Sequence, residues 1–252
     1  MNKAVSFRFT RFFAPILIPV LAVAIPTFAA DDTMTAPAAA VQAAPLHYLD
    51  QGKPNVSKLL APPPLPDSAE QAADMDEVRA VYHAASSSDV AMANAWKKFD
   101  AFTFTPAIGV FFVSNNLPLT AAFLSRVQED AANVTDSAKD DFKRPRPYAV
   151  DPSLANGKLE KSFSYPSGHS TESMVLALVL ADLFPAQRDA IVAEARSIGW
   201  HRVMIARHYP TDIYAGRVLA QAIAERMKEN GDFQKDFVAA KSEIAAGTTA
   251  GK

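Results

Sequence analysis

The sequence predicts an all-α domain, and three observations lead there. Apolar residues recur at intervals of three and four over several long segments, the spacing that lines one face of a helix. No segment alternates apolar and polar residues as a strand would, and no internal repeat is visible. Clusters of Pro, Gly, Ser and Asn fall between the periodic segments, where helices have to stop. With 252 residues, 49% of them hydrophobic and 21% charged, the chain can build one large domain around a buried core.

The first segment is set apart. Lys3, Arg8 and Arg11 precede an apolar run from Phe12 to Ile25, and small residues through Ala30 lead to Asp31-Asp32. This is the pattern of a secretory signal peptide over residues 1–29, cut after Ala29 or Ala30, which predicts a periplasmic protein. The alternative is a membrane anchor, but the run of about 14 residues is short of the roughly 20 that span a bilayer. Cleavage removes three positive and no negative charges, taking the net charge from −2 to −5. Nothing in that balance suggests a nucleic-acid partner, so any cationic site must be a local concentration of Lys and Arg. The absence of cysteine excludes disulfides, thiolate metal sites and a cysteine nucleophile.

Residues 30–45, rich in Ala, Pro, Thr and Asp, read as a flexible leader, and a single domain is expected over 46–246 with a disordered tail at 247–252. The proline run Leu59–Pro66 cannot be helix and reads as an extended strap. Asp67-Ser68 can cap a helix carrying Met75, Val78, Val81 and Tyr82. Ser86–Asp89 breaks it, and Val90, Met92, Ala95 and Trp96 suggest another. His83, alone at the end of the first, reads as structural or exposed. Residues 101–125 lack charge, but Pro106, Asn115, Asn116 and Pro118 interrupt them. A buried helix, a turn, and a second helix capped by Asn116 and running to about Lys139 are expected in place of a membrane span. Arg144-Pro145-Arg146-Pro147 ends helical structure, and 148–165 reads as loop. Helices are then expected over Ser170–Phe184, Ala186–Val203, Thr211–Met227 and Asp232–Ile244.

The chemistry-bearing residues fall in three short blocks. Lys139 is followed after six residues by Arg146-Pro147. Pro166-Ser167-Gly168-His169 opens a helix. Arg202 precedes His208 by five intervening residues, and Asp212 follows after three more. A transferring phosphoryl group spreads charge over three oxygens, which Lys139, Arg146 and Arg202 could compensate. The helix start at Ser167-Gly168 offers unpaired amides to an anion, and Gly168 permits close approach. His169 could donate a proton to a departing alcohol. A carboxylate one turn beyond His208 could fix its tautomer, freeing the other nitrogen to attack phosphorus. Taken singly each residue reads more simply: a solvated charge, a structural His–Asp pair, a loop-to-helix junction. The joint pattern is what is specific.

That pattern, K-x6-R-P, then P-S-G-H, then R-x5-H-x3-D, resembles the phosphatidic acid phosphatase type 2 superfamily. Within it the chain is most similar, over roughly 46–230, to the soluble bacterial class A nonspecific acid phosphatases, which also carry a signal peptide and a Leu-Pro-rich stretch before the first helix. The resemblance implies a helical bundle of the acid phosphatase/vanadium haloperoxidase type. It implies no cofactor or metal, and broad hydrolysis of small phosphomonoester substrates. It assigns His208 as nucleophile, Asp212 as its orienting carboxylate and His169 as general acid, with Lys139, Arg146, Ser167, Gly168 and Arg202 binding phosphate. No stable membrane insertion is expected, and the apolar helices would suit a homodimer. One departure stands out: His201 replaces the serine that precedes Arg202 in the pattern, and it either substitutes as a donor or points away. Arg207 lies outside the pattern and should pair elsewhere. Two other readings keep the pocket, namely a vanadate-dependent haloperoxidase-like enzyme and a soluble relative of the lipid phosphate phosphatases. A phosphate-binding protein disabled by His201 is a third.

Overall fold

Residue by residue, the helices follow from where the chain can and cannot cap them. The structure, a computed structural model, describes residues 46–49 and 52–250, with side chains to 247. The predicted signal peptide at 1–29 and leader at 30–45 lie outside the described residues. Among the described residues there are seven helices of nine residues or more: α1 Ala69–Ala84, α2 Ser87–Ala95, α3 Pro118–Phe142, α4 Gly168–Leu183, α5 Arg188–Met204, α6 Pro210–Lys228 and α7 Gly231–Ala250. The described residues contain no strand, so the fold is all-α.

Ser68 caps α1 by accepting from the Gln71 amide, and Ser86 with Asp89 forms a full capping box on α2. Pro118 and Pro210 sit in the first turns of α3 and α6, where a missing amide hydrogen costs nothing.

Three expectations are corrected. Residues 101–116 do not form a buried helix; a 3-10 turn at Ala101–Phe104 and a single α-turn at Thr105–Ile108 end at Gly109, whose φ of 138° no continuing helix could adopt. Asn116 does not cap α3: the Glu243 carboxylate, brought across by α7, accepts from the Leu119 and Thr120 amides at 3.0 and 2.8 Å. The helix also continues to Phe142, where Lys143 closes it in the left-handed conformation at φ 50°. The last helix, expected over Asp232–Ile244, is assigned over Gly231–Ala250; residues 251–252 lie outside the described set.

The core forms around α4. Twelve of its residues are buried, including Met174, Val175, Leu176, Val179, Leu180 and Leu183, so it is apolar on every side and has to be enclosed. Helices α3, α5 and α6 enclose it. Burial of each large aliphatic side chain contributes about 1.5–3 kcal/mol.

The first turns of α4 are built differently, from Ser167, Ser170, Thr171 and Ser173, all buried. The Ser167 hydroxyl accepts from the Ser170 amide, and the other three donate to backbone carbonyls, Ser170 to Ile213 at 2.8 Å, Thr171 to Ser167 at 2.9 Å and Ser173 to Ala195 at 3.2 Å. Neighbouring helices come close here because they present glycine. A Cβ on Gly199 would lie 3.3 Å from the Ser170 side chain, and one on Gly216 would lie 2.9 Å from the Ser167 carbonyl. Small residues thus let α5 and α6 clamp the start of α4, the end at which the polar residues gather.

Gly216→Ala should therefore destabilise the protein by about 1–3 kcal/mol, because the clash is with backbone and not with a movable side chain. Urea denaturation checks this, and an unchanged midpoint would contradict the close-packing argument.

Candidate active site

At the polar end of α4 the three sequence blocks come together. Lys139 comes from the last turn of α3, and Arg146 immediately precedes a single helical turn, Pro147–Val150. Ser167, Gly168 and His169 open α4, Arg202 lies in the last turn of α5, and Asp212 in the first turn of α6. Between α5 and α6 the chain reverses through Ala206, at φ 51°, which costs about 1–2 kcal/mol for a residue with a Cβ. His208 follows that turn.

Asp212 and His208 are fully buried and joined, with His208 Nδ1 3.2 Å from Asp212 Oδ2. Three further donors serve the same carboxylate: Arg144 Nη1 at 2.7 Å, the Tyr209 amide at 2.9 Å, and the Ser164 hydroxyl. Burial pushes the Asp212 carboxyl upward, while Arg144, Ser164 and the Tyr209 amide pull it back. Four donors converging on two oxygens fit the ionised form. The imidazole Nδ1 therefore carries the hydrogen, and Nε2, 3.2 Å from Arg146 Nη1, keeps its lone pair. Burial and the Arg146 guanidinium hold His208 well below the usual imidazole range, so it is neutral.

Arg144 was not singled out by the sequence, although the duplicated Arg-Pro pair was the signal for it. Besides Asp212 it donates to Thr211 Oγ1, Gln71 Oε1 and Asp74 Oδ2, at 2.6–2.7 Å. Its guanidinium lies 3.8 Å from the Tyr209 ring centroid. One buried cation thus ties α1 to α6 and fixes the carboxylate behind His208.

Arg146 is held just as fully, donating from Nε to the Ser162 carbonyl at 2.7 Å and from Nη1 to the Arg207 carbonyl at 2.9 Å. Lys139 Nζ pairs with Asp136 at 2.9 Å and lies 3.3 Å from where a Gly168 Cβ would stand, so a larger residue there would crowd the ammonium. Glu172, one turn into α4, would also be 3.3 Å from that Cβ. Burial raises its carboxyl to about 7, so in acid it is neutral and adds no negative charge beside Lys139.

His169 Nε2 is buried without a partner among the described residues. The ring tilts against Phe99, with 5.4 Å between centroids. Burial, then Arg202 and Lys139, push this imidazole down to about 3. The unliganded site thus keeps both histidines neutral, and a proton on His169 requires a negatively charged guest. His201 points away: its Nδ1 donates to the Ser197 carbonyl at 2.8 Å and its ring packs edge-on to Trp96. Arg207 pairs elsewhere, donating to the Asn156 and Lys158 carbonyls and fastening the loop before α4. Glu160, on that loop, bridges Arg146 and Arg202, and no spacing rule signalled it. Among the described residues no cluster of three or more His, Asp or Glu side chains is placed to hold a metal, and no helix is long and apolar enough to cross a membrane.

The chain is similar to known proteins over most of its length. Residues 118–228 match the PAP2 superfamily. The chain is 30% identical over 216 residues to a non-specific acid phosphatase of Providencia stuartii, covering 79% of this chain and 85% of that one. It is 27% identical over 204 residues to an acid phosphatase of Zymomonas mobilis subsp. mobilis, covering 75% of each. A shorter match, 47% over 53 residues, covers 21% of this chain and 23% of a lipid A 1-phosphatase of Rhizobium etli.

Replacing Arg144 with Met should strand Asp74 and Asp212 as buried carboxylates without their cation, at a cost of about 3–5 kcal/mol. Chemical denaturation near pH 7 measures it, and a loss below about 1 kcal/mol would show that the pairing is not what holds α1 against α6.

Proposed function

The chain belongs to the PAP2 superfamily, and we propose that it is an acid phosphatase hydrolysing a broad range of phosphomonoesters through a phosphohistidine on His208, in the periplasm. The observation that carries the reading is the neutral, oriented imidazole of His208 with its Nε2 turned toward buried arginines. Unprotonated nitrogen is the nucleophilic form, and a cationic surround lowers the cost of bringing an anion to it.

The proposed sequence has two displacements. His208 Nε2 attacks phosphorus, the P–O ester bond breaks, and the leaving alcohol takes a proton from His169 Nε2. Water then attacks the phosphoryl group and returns a proton to His169; the P–N bond breaks and phosphate departs. Arg146, Arg202 and Lys139 face the equatorial oxygens, with the amides of Gly168 and His169, which α4 itself cannot satisfy. Asp212 stabilises the positive charge that His208 gains as its bond to phosphorus forms.

The bound ester supplies what His169 lacks in the unliganded site. A phosphomonoester brings about one negative charge in acid and about 1.5–2 near pH 7, which oppose the effects of burial and Arg202 and favour the imidazolium. Activity should then lie on the acid side, where His169 can be protonated and Glu172 is neutral. The secreted location rests on the N-terminal pattern, and the breadth of substrates on the acid phosphatase relatives.

Substitution tests the roles separately. His208→Ala should lower kcat by at least about 10³-fold with every ester. His169→Ala should cost about 10²–10⁴-fold with alkyl phosphates and much less with p-nitrophenyl phosphate, whose leaving group needs little protonation. Equal losses on both esters, or undiminished wild-type activity above pH 8, would contradict His169 as the acid.

A further inference from the structure

A carboxylate already stands in the cationic cradle. Glu160 Oε2 lies 2.6 Å from Arg146 Nη1, and its Oε1 contacts Arg202 Nη2. These are the two guanidiniums that the proposed mechanism assigns to phosphoryl oxygens, and both are buried. The Arg146 nitrogen that Glu160 engages is the same one that lies 3.2 Å from His208 Nε2. The carboxylate therefore sits beside the nitrogen proposed to attack, held as an anionic guest would be. Burial opposes its ionisation, but the Arg146 and Arg202 guanidiniums overcome that and hold the group down to about 2.

The loop around Glu160 cannot easily swing away. Tyr148 Oη donates to the Glu160 carbonyl at 2.8 Å and accepts from its amide at 3.1 Å. Arg146 holds Ser162 on one side, and Arg207 holds Lys158 on the other. The Glu160 side chain is different, being 32% exposed. It can leave by rotation about its own bonds while its backbone stays fixed.

We propose that Glu160 is an internal occupant of the phosphate cradle, displaced by an incoming phosphate ester, so that binding is an exchange of one anion for another. The inference rests on the phosphatase reading for the identity of the guest. Every anionic guest has to replace the same pair of carboxylate–guanidinium contacts, so the exchange raises the affinity threshold for all of them by a common amount. Without Glu160 the two arginines would be left buried and unpaired between turnovers, so the same side chain keeps the empty cradle assembled.

The test compares wild type with Glu160→Gln, measuring affinity for inorganic phosphate and for dimethyl phosphate by calorimetry, with steady-state kinetics on p-nitrophenyl phosphate. The amide keeps the shape without the charge. Phosphate should bind about tenfold more tightly to the variant, on the scale of one charge-assisted hydrogen bond no longer displaced. Dimethyl phosphate should gain at least as much, and KM should fall while kcat does not rise. Unchanged or weaker binding of both ligands would overturn the proposal. Should Glu160→Gln fail to fold, Glu160→Asp carries the test, because it is one methylene too short to bridge both guanidiniums. It too must bind phosphate more tightly than wild type, and equal or weaker binding overturns the proposal. The two readings fail separately: tightened binding without hydrolysis by either protein would remove the phosphatase and leave the displacement standing. Hydrolysis by wild type with no tightening in the variant would do the reverse.

Discussion

The Asp212 carboxylate is the constraint from which the rest of the site follows. It is fully buried, and an ionised carboxylate there is tolerable only because donors arrive from four places: the Arg144 guanidinium, the Ser164 hydroxyl, the Tyr209 amide and the His208 ring. Those donors lie before, within and after the loop that precedes α4, so satisfying one carboxylate draws the chain into register around it. The tautomer of His208 is then no longer free. With Nδ1 committed to Asp212, Nε2 is left facing the arginines with its lone pair available.

Packing and charge meet at the same place. Gly199 and Gly216 let α5 and α6 approach the serine-rich start of α4, and this brings Arg202 and His208 to the helix end where unsatisfied amides already favour an anion. Four buried cations, Lys139, Arg144, Arg146 and Arg202, could not share so small a region without compensating charge. Asp74 and Asp212 neutralise Arg144 permanently. Arg146 and Arg202 have Glu160, a partner that is partly exposed and can turn out. The network thus divides into a fixed part, which positions the imidazole, and an exchangeable part, which a phosphoryl group can take over.

What was legible in the sequence was what local rules control. Ser68, Pro118 and Pro210 mark helix starts through chemistry within one turn, and the spacing of His208 and Asp212 encodes their contact because His208 stands just before the N-cap of the helix whose first turn carries Asp212. Lys139, Arg146, Gly168 and Arg202 were legible through their joint spacing. Glu243 capping α3, Arg144 spanning Asp74 and Asp212, and Glu160 between two arginines depend on contacts between residues far apart in the chain, which no window of sequence contains. The misjudged helix at 101–116 has a related cause: its apolar composition reports burial, and burial by itself does not distinguish a helix from a string of packed turns. His201 was recognisable as a departure from the pattern, but only the Trp96 ring beside it explains why it turns away.

A bond between phosphorus and the nitrogen oriented by Asp212 is the step on which the proposed chemistry turns. Rapid mixing with a labelled phosphomonoester, an alkaline quench that preserves a phosphorus–nitrogen bond, and peptide mass spectrometry would trap it. A phosphoryl group should be found on His208, lost on acid treatment and absent from His208→Ala. Rapid turnover with no adduct on His208, or with the label on another residue, would contradict it.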